Sequence, residues 1–194
     1  MALLRTLKLV LHGQIREAVR GRLIATHGGP PDTLVRHELG LCLGATRVDV
    51  AAINGTLTGC EIKSARDKLT RLPRQVELYG RVLDEAVLVV ESKYADRAGG
   101  YLPDWWGVWQ VDSDAHDLRL VEVRPAGRNP ASDPLAVAQL LWRDEVLEEL
   151  QVREVARGLA RATRWRLWEA LVEALPPDEL GSVVRTRLRA RRAW

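Results

Sequence analysis

Cysteine is scarce in this chain. Cys42 and Cys60 are the only two in 194 residues, too few for a disulfide framework or a four-thiolate zinc or iron–sulfur site. That usage predicts a reducing cytoplasm. Long apolar runs are missing as well: none approaches the roughly 18–20 residues of a membrane-crossing helix, so no membrane span is expected. The opening stretch MALLRTLKLVLHGQIRE carries charges among its apolar residues and has no small-residue cleavage site, so no secretory signal is expected. Lysine is sparse too, 4 against 25 arginines. Arginine suits bidentate phosphate contacts, although a GC-rich genome produces the same bias with no function attached. Internal repeats and low-complexity segments are absent.

What is present is a balance of 46% apolar and 28% charged residues, that of one compact domain with a real core. The net charge of +3 hides a segregation: residues 101–150 carry 4 bases and 10 acids, and residues 151–194 carry 10 bases and 5 acids. Residues 6–25 place Leu11, Ile15, Ala18, Val19 and Leu23 near helical period, and Gly28-Gly29-Pro30-Pro31 ends that helix. Asp32 stands as an N-cap before a short helix, TLVRHELG, closed by Gly40. TRVDVAAI, then Asn54-Gly55, then TLTGCEIKS reads as a β-hairpin. In DKLTRLPRQVELYGRVL the apolar residues fall at helical spacing, with Pro73 implying one turn ahead of the main helix. AVLVVES reads as a buried central strand. WWGVWQV and LRLVEVR read as two more strands around a polar loop, DSDAHD. GRNPASDP is a linker, and everything from Leu135 onward reads as helical, divided by Pro176-Pro177. The class is α/β, with a mixed sheet, helices before and after it, and a helical C-terminal extension.

The chemistry concentrates between Glu38 and Tyr79. Asp49 lies on the first strand of the hairpin. Glu61 and Lys63 lie two residues apart on the second, so they share one sheet face while Cys60, Ile62 and Ser64 take the other. Two carboxylates brought together by a hairpin make a hard oxygen site suited to Mg²⁺ or Mn²⁺. A neighbouring lysine can orient water or stabilise charge on a phosphoryl oxygen.

The pattern Asp49-x(11)-Glu61-Ile62-Lys63 resembles the core of the PD-(D/E)XK nuclease superfamily. Gln75-Val-Glu-Leu-Tyr79 resembles the QxxxY pattern of its RecB-like branch. RVDVAAINGTLTGCEIKS, RLPRQVELYGRVLDEAVLVV, LPDWWGV and LLWRDEVL are similar to the Sce-type family of small bacterial proteins, itself largely uncharacterised. The resemblance spans roughly residues 10–170. It implies a restriction-endonuclease-like αβββαβ core over residues 1–130 and a basic helical extension over 131–194. It implies that Asp49, Glu61 and the Ile62 carbonyl hold the metal, with Glu38 as a further ligand on a helix before the hairpin. Lys63 would position or activate water, and Gln75 and Tyr79 would hold the active site or the substrate backbone. Val48 stands before Asp49 where the superfamily pattern has proline. The activity implied is metal-dependent phosphodiester hydrolysis in nucleic acid, DNA in the first instance. Endo- or exonucleolytic action, strandedness and pathway stay open, as does a homodimer or partner protein.

Blander readings stand beside these. Glu-x-Lys on a strand is commonly a solvated ion pair, Glu38 a solvated helix residue, and Tyr79 a core residue with its hydroxyl at the surface. His12, His27, His37 and His116 are scattered and read as ordinary. Cys60 reads as a packed thiol. Trp105, Trp106 and Trp109 read as core or sheet-edge packing rather than base-stacking platforms. Arg153, Arg157, Arg161 and Arg164 would share one helix face, with Gly158 weakening that continuity. Together with Arg185, Arg187, Arg189, Arg191 and Arg192 they form either a phosphate-tracking surface or a solvated face. Two other functions fit the same chain: a non-catalytic nucleic-acid-binding or accessory protein that keeps the nuclease fold, and a protein-interaction module built on the acidic segment and its tryptophans.

Overall fold

A computed structural model describes residues 2–63, 69–91, 100–114 and 117–194, with side chains described except at 2–12, 113, 114 and 117. Ser64, Ser92 and His116, and the side chains of Leu11 and His12, lie outside the described residues. Helix α1 (Ala2–His27) leads to strands β1 (Leu34–Leu41), β2 (Thr46–Ile53) and β3 (Leu57–Lys63), then helix α2 (Leu72–Gly80) and strand β4 (Glu85–Glu91). Strands β5 (Gly107–Asp114) and β6 (Asp117–Arg124) follow, then α3 (Pro134–Ala138), α4 (Arg143–Val152), α5 (Arg164–Ala174) and α6 (Pro177–Ala190). The six strands form one sheet in chain order. Pairing is antiparallel for β1–β2, β2–β3 and β5–β6, and parallel for β3–β4 and β4–β5. The fold is α/β with a mixed sheet, and its first six elements run α-β-β-β-α-β.

Strand periodicity divides the core into two layers. Cys60, Ile62, Val50 and Ala52 point to the side covered by Ile15, Val19 and Leu23 of α1. Ala51, Ile53, Leu57 and Leu88 point to the other side, where α2 and the C-terminal helices contribute Tyr79, Leu141, Leu167, Trp168, Val184 and Leu188. The extension therefore belongs to the same hydrophobic core as the sheet. The stretch between β6 and α3 is docked as well: Asn129 Nδ2 donates to the carbonyls of Gly80 (2.7 Å) and Leu83 (2.8 Å). Asp133 caps α3 by accepting from the Leu135 and Ala136 amides.

Three sequence expectations are corrected. Residues 34–41 form a strand, not a helix behind an Asp32 cap; every residue but Glu38 pairs with β2, and Leu39 and Leu41 alternate into the core. Pairing with β2 outweighs local helix propensity. The polar DSDAHD stretch is taken up largely by the strands, since β5 runs to Asp114 and β6 starts at Asp117. The region after Leu135 is not wholly helical: residues 153–163 are turns and irregular chain between α4 and α5. Glu154 (φ 60°), just past the end of α4, adopts the left-handed conformation that closes a helix, and Gly158 (φ 78°) adopts it again within the irregular stretch. The Asn54-Gly55 hairpin, the turn before Pro73 and the break at Pro176-Pro177 are found as expected.

Candidate active site where β2 and β3 part

The site forms where one strand pair ends and the next continues. The β2–β3 ladder runs from Ile53↔Leu57 to Val50↔Cys60, whereas β3 stays paired with β4 as far as Lys63↔Val90. Beyond Val50 the β3 backbone is served by a side chain: the Ile62 amide donates to Asp49 Oδ2 at 2.7 Å. Asp49 is thereby fixed at the end of β3, one residue from both Glu61 and Lys63.

Glu61 and Lys63 are 3% and 6% exposed, far below what a solvated pair would show. Lys63 Nζ donates to Glu61 Oε1 at 2.5 Å and to Gln75 Oε1 at 2.8 Å. Gln75 Nε2 donates to the same Glu61 oxygen at 2.6 Å, so the amide bridges acid and base with both of its ends. Tyr79, one helical turn along α2, is fully buried and stacks on Trp106 with centroids 5.7 Å apart. Its hydroxyl lies within hydrogen-bond reach of Glu61 Oε2 and of the Arg47 carbonyl, 2.7 Å away; its single proton can serve one of them at a time. Burial and the Glu61 charge push the Tyr79 phenol up, so it remains a neutral donor.

Burying an ion pair contributes little to stability, because desolvation offsets most of the attraction. A lysine–glutamate pair sealed by a bridging amide is more readily explained by chemistry than by folding. Electrostatics at Asp49 point the same way. Burial first, and the Glu61 charge second, push its carboxyl from the ordinary 3.8 up to about 7, against the opposing pull of the Ile62 amide and Lys63. Two carboxylates that repel one another at a half-buried strand end, with one lysine between them, lack positive charge. Their oxygens and the Ile62 carbonyl are hard donors, and Mg²⁺ characteristically takes one or two carboxylates and keeps several waters. The donor set fits such an ion. Among the described residues no group of three or more His, Cys, Asp or Glu side chains is placed to hold a metal, so none of them adds a third carboxylate to the set.

Glu38 accounts for that. It sits on strand β1, where φ of 55° interrupts the ladder between His37↔Val50 and Leu39↔Val48. Its carboxylate is held by Arg16 at 2.8 Å and faces Arg47 at 3.7 Å. The expected helical ligand is thus a strand residue in an ion-pair cluster; its charge adds to the upward push on Asp49. His37 Nε2 lies 3.8 Å from Glu17, and burial lowers its pKa, which keeps it neutral near pH 7. Cys60 is fully buried against α1, and burial raises its thiol, so it stays protonated. Trp106 and Trp109 are core residues and Trp105 is half-buried.

The arginines expected to track phosphate divide into two groups. Arg153, Arg157, Arg161 and Arg164 do not share a helix face, because 153–163 is not helical. Arg153 pairs with Glu149 and, at 3.4 Å, Glu179, while Arg157 and Arg161 are exposed and Arg164 lies over the Trp168 ring. On α6, Arg185 pairs with Asp84 at 2.9 Å, and Arg187 with Glu148 at 2.6 Å and Glu149 at 2.5 Å. Arg189 donates to the Asp32 carbonyl at 3.1 Å. Arg191, which caps the end of α6, grips Glu145 at 2.5 and 2.6 Å and lies over Trp142. Arg153, Arg187 and Arg191 of the basic tail thus pair with Glu145, Glu148 and Glu149 of the acidic segment.

Sequence reasoning missed the residues around the outer wall of Gln75. A cleft of about 360 Å³ opens there, and Arg47, Arg71 and Arg74 line it. The available signal was helical spacing, since Arg71 lies four residues before Gln75 and Arg74 adjoins it.

No helix among the described residues is long and apolar enough to cross a membrane. Among solved structures, the SPO1766 protein of unknown function from Silicibacter pomeroyi is similar over 74% of this chain and 94% of its own, with 20% identity and a TM-score of 0.42. No curated protein matches the chain significantly. The family model described as bacteriophage P4 protein cII matches residues 13–193, and the chain belongs to that family.

Proposed function

We propose that this protein is a metal-dependent nuclease that hydrolyses phosphodiester bonds, with DNA as the first substrate to test. The observation that carries the reading is the joining of the two motifs: Gln75 and Tyr79 of α2 both bond to Glu61 of β3, and Gln75 also bonds to Lys63. Those motifs are the ones that resemble the PD-(D/E)XK superfamily and its RecB-like branch.

Asp49, Glu61 and the Ile62 carbonyl are the groups that would hold Mg²⁺ or Mn²⁺. When bound, such an ion supplies a more acidic water and neutralises charge on the phosphoryl oxygens. The chain's own residues do the rest. Lys63 gives two of its three N–H donors to Glu61 and Gln75, which leaves one for an attacking water or a non-bridging oxygen. Gln75 fixes the lysine rotamer by accepting from it, and fixes Glu61 by donating to it. Tyr79 holds the second Glu61 oxygen, so the carboxylate cannot rotate away. Such preorganised donors in a site of low water content stabilise developing charge more strongly than they would in water.

The test is cleavage of labelled single- and double-stranded DNA and RNA with Mg²⁺, Mn²⁺ or EDTA, with Lys63→Ala as the contamination control. Metal-dependent cutting that disappears in the variant is the expected result and names the substrate. Salt-sensitive binding without cutting under any metal would replace the reading with a nucleic-acid-binding accessory protein.

A further inference from the structure

With the α6 arginines occupied, the positive charge able to meet a polyanion lies elsewhere. The cleft beside Gln75 is bounded by the start of β2 on one side and the first turns of α2 on the other. Its lining includes Arg47, Arg71 and Arg74 and no carboxylate. All three arginines are exposed. Arg74 bonds Glu77 and Arg47 faces Glu38, with side-chain exposures of 63% and 68% for the two arginines; surface pairs of that kind are weak and readily exchanged for another anion. Arg71 has no hydrogen-bonding or ionic partner among the described residues.

Two contacts tie this cleft to the Glu61–Lys63 pair. Gln75 forms part of its wall while its amide bonds both charged residues. Arg47 projects from a backbone position whose carbonyl lies within reach of the Tyr79 hydroxyl. An anion in the cleft therefore sits one side chain away from the pair, in contact with the residue that positions it. Exposed guanidinium groups gathered around one cleft suit the phosphates of a nucleic-acid strand, which arginine engages through paired N–H donors.

We propose that this cleft is the track of the DNA strand, with Arg47, Arg71 and Arg74 contacting phosphates that flank the bond presented to Glu61 and Lys63. The placement of the scissile bond rests on the nuclease reading; the phosphate contacts do not.

The experiment is a fluorescence-polarisation titration of labelled single-stranded and duplex DNA oligonucleotides in EDTA across a salt series. It compares the wild type, Arg71→Ala/Arg74→Ala and Asp49→Asn, and circular dichroism checks the fold of each. The double variant should lose about tenfold or more in affinity, and its log–log salt slope should fall by about two, one for each lost phosphate contact. Asp49→Asn should bind at least as well as the wild type. A folded double variant that binds with wild-type affinity and slope overturns the proposal, as does a wild type that binds neither oligonucleotide. The two readings fail separately: binding lost in the double variant without metal-dependent cutting by the wild type keeps the track and removes the nuclease, whereas cutting and binding that both survive in the double variant do the reverse.

Discussion

The arginines of α6 and its C-cap and those around the Gln75 cleft carry the same charge and meet different fates. Arg187 and Arg191 keep only 25% and 6% of their side chains exposed and lie against the acids of α4. Arg47 and Arg74 keep 68% and 63% exposed beside a cleft without a carboxylate. The densest basic stretch of the sequence thus works mainly as an internal clasp that ties α6 to α4 and to Asp84 just before β4, and an open basic cleft is assembled from three arginines that no single run contains. Clustering along a chain and clustering on a surface are separate properties once an acidic helix packs against the basic one.

The sharpest way to test that contrast is activity. Asp49→Ala, Glu61→Ala or Lys63→Ala should reduce cleavage by about three orders of magnitude, since each removes a charge stabiliser from a preorganised site. Arg187→Ala, on the clasp, should leave turnover close to wild type in a fluorogenic DNA assay. Wild-type cleavage by Asp49→Ala would show that the site is misplaced.

Stability should show the opposite ranking. Arg191→Ala leaves Glu145 poorly solvated without its partner and should cost about 3 kcal/mol in urea unfolding. Arg71→Ala, at the surface, should change the unfolding free energy by no more than about 0.5 kcal/mol. Equal effects from the two would erase the distinction between clasp and cleft.

The site also has a pH signature that the clasp lacks. Asp49 titrates near 7 in the folded chain against an ordinary 3.8, so between those values the native state holds a proton that the unfolded state has lost. Folding stability contributed by this group therefore falls as pH rises from about 4 to about 7, and levels off above, by at most about 4 kcal/mol. Asp49→Asn should remove that slope and raise the unfolding midpoint at pH 8 more than at pH 5. Millimolar Mg²⁺ should stabilise the wild type most at the higher pH, as thermal shift would record. A smaller effect is expected for Gln75→Ala, about a tenfold loss of kcat with the fold retained, because it leaves Glu61 and Lys63 in contact but unpinned.

Much of the site was legible because its geometry is short-range. Glu61 and Lys63 share a face by strand alternation, and Gln75 and Tyr79 by the turn of a helix. The Asn54-Gly55 hairpin sets Asp49 near Glu61 through the register that pairs Val50 with Cys60. Glu38 was misplaced because TLVRHELG has helix-compatible spacing and an aspartate in capping position. Its strand state comes from β2, a partner that local patterning does not reveal. The arginine face over 153–164 was misplaced for a related reason: the left-handed Glu154 follows the end of α4 and Gly158 turns the chain again before α5, and only Gly158 signals this in the sequence.

The sequence by itself pointed to the α/β class, the hairpin, the helix after it and the grouping of Asp49 with Glu61 and Lys63, since each follows from periodicities of a few residues, while Gln75 and Tyr79 came from the resemblance to the RecB-like pattern. Only the tertiary structure decided which charges are free. The pairing of α6 with α4, the raised Asp49 carboxyl and the open cleft at Arg71 and Arg74 depend on burial and on partners far away in the chain. Electrostatic energy is set by distance and solvent exposure, and neither is written in the order of the residues.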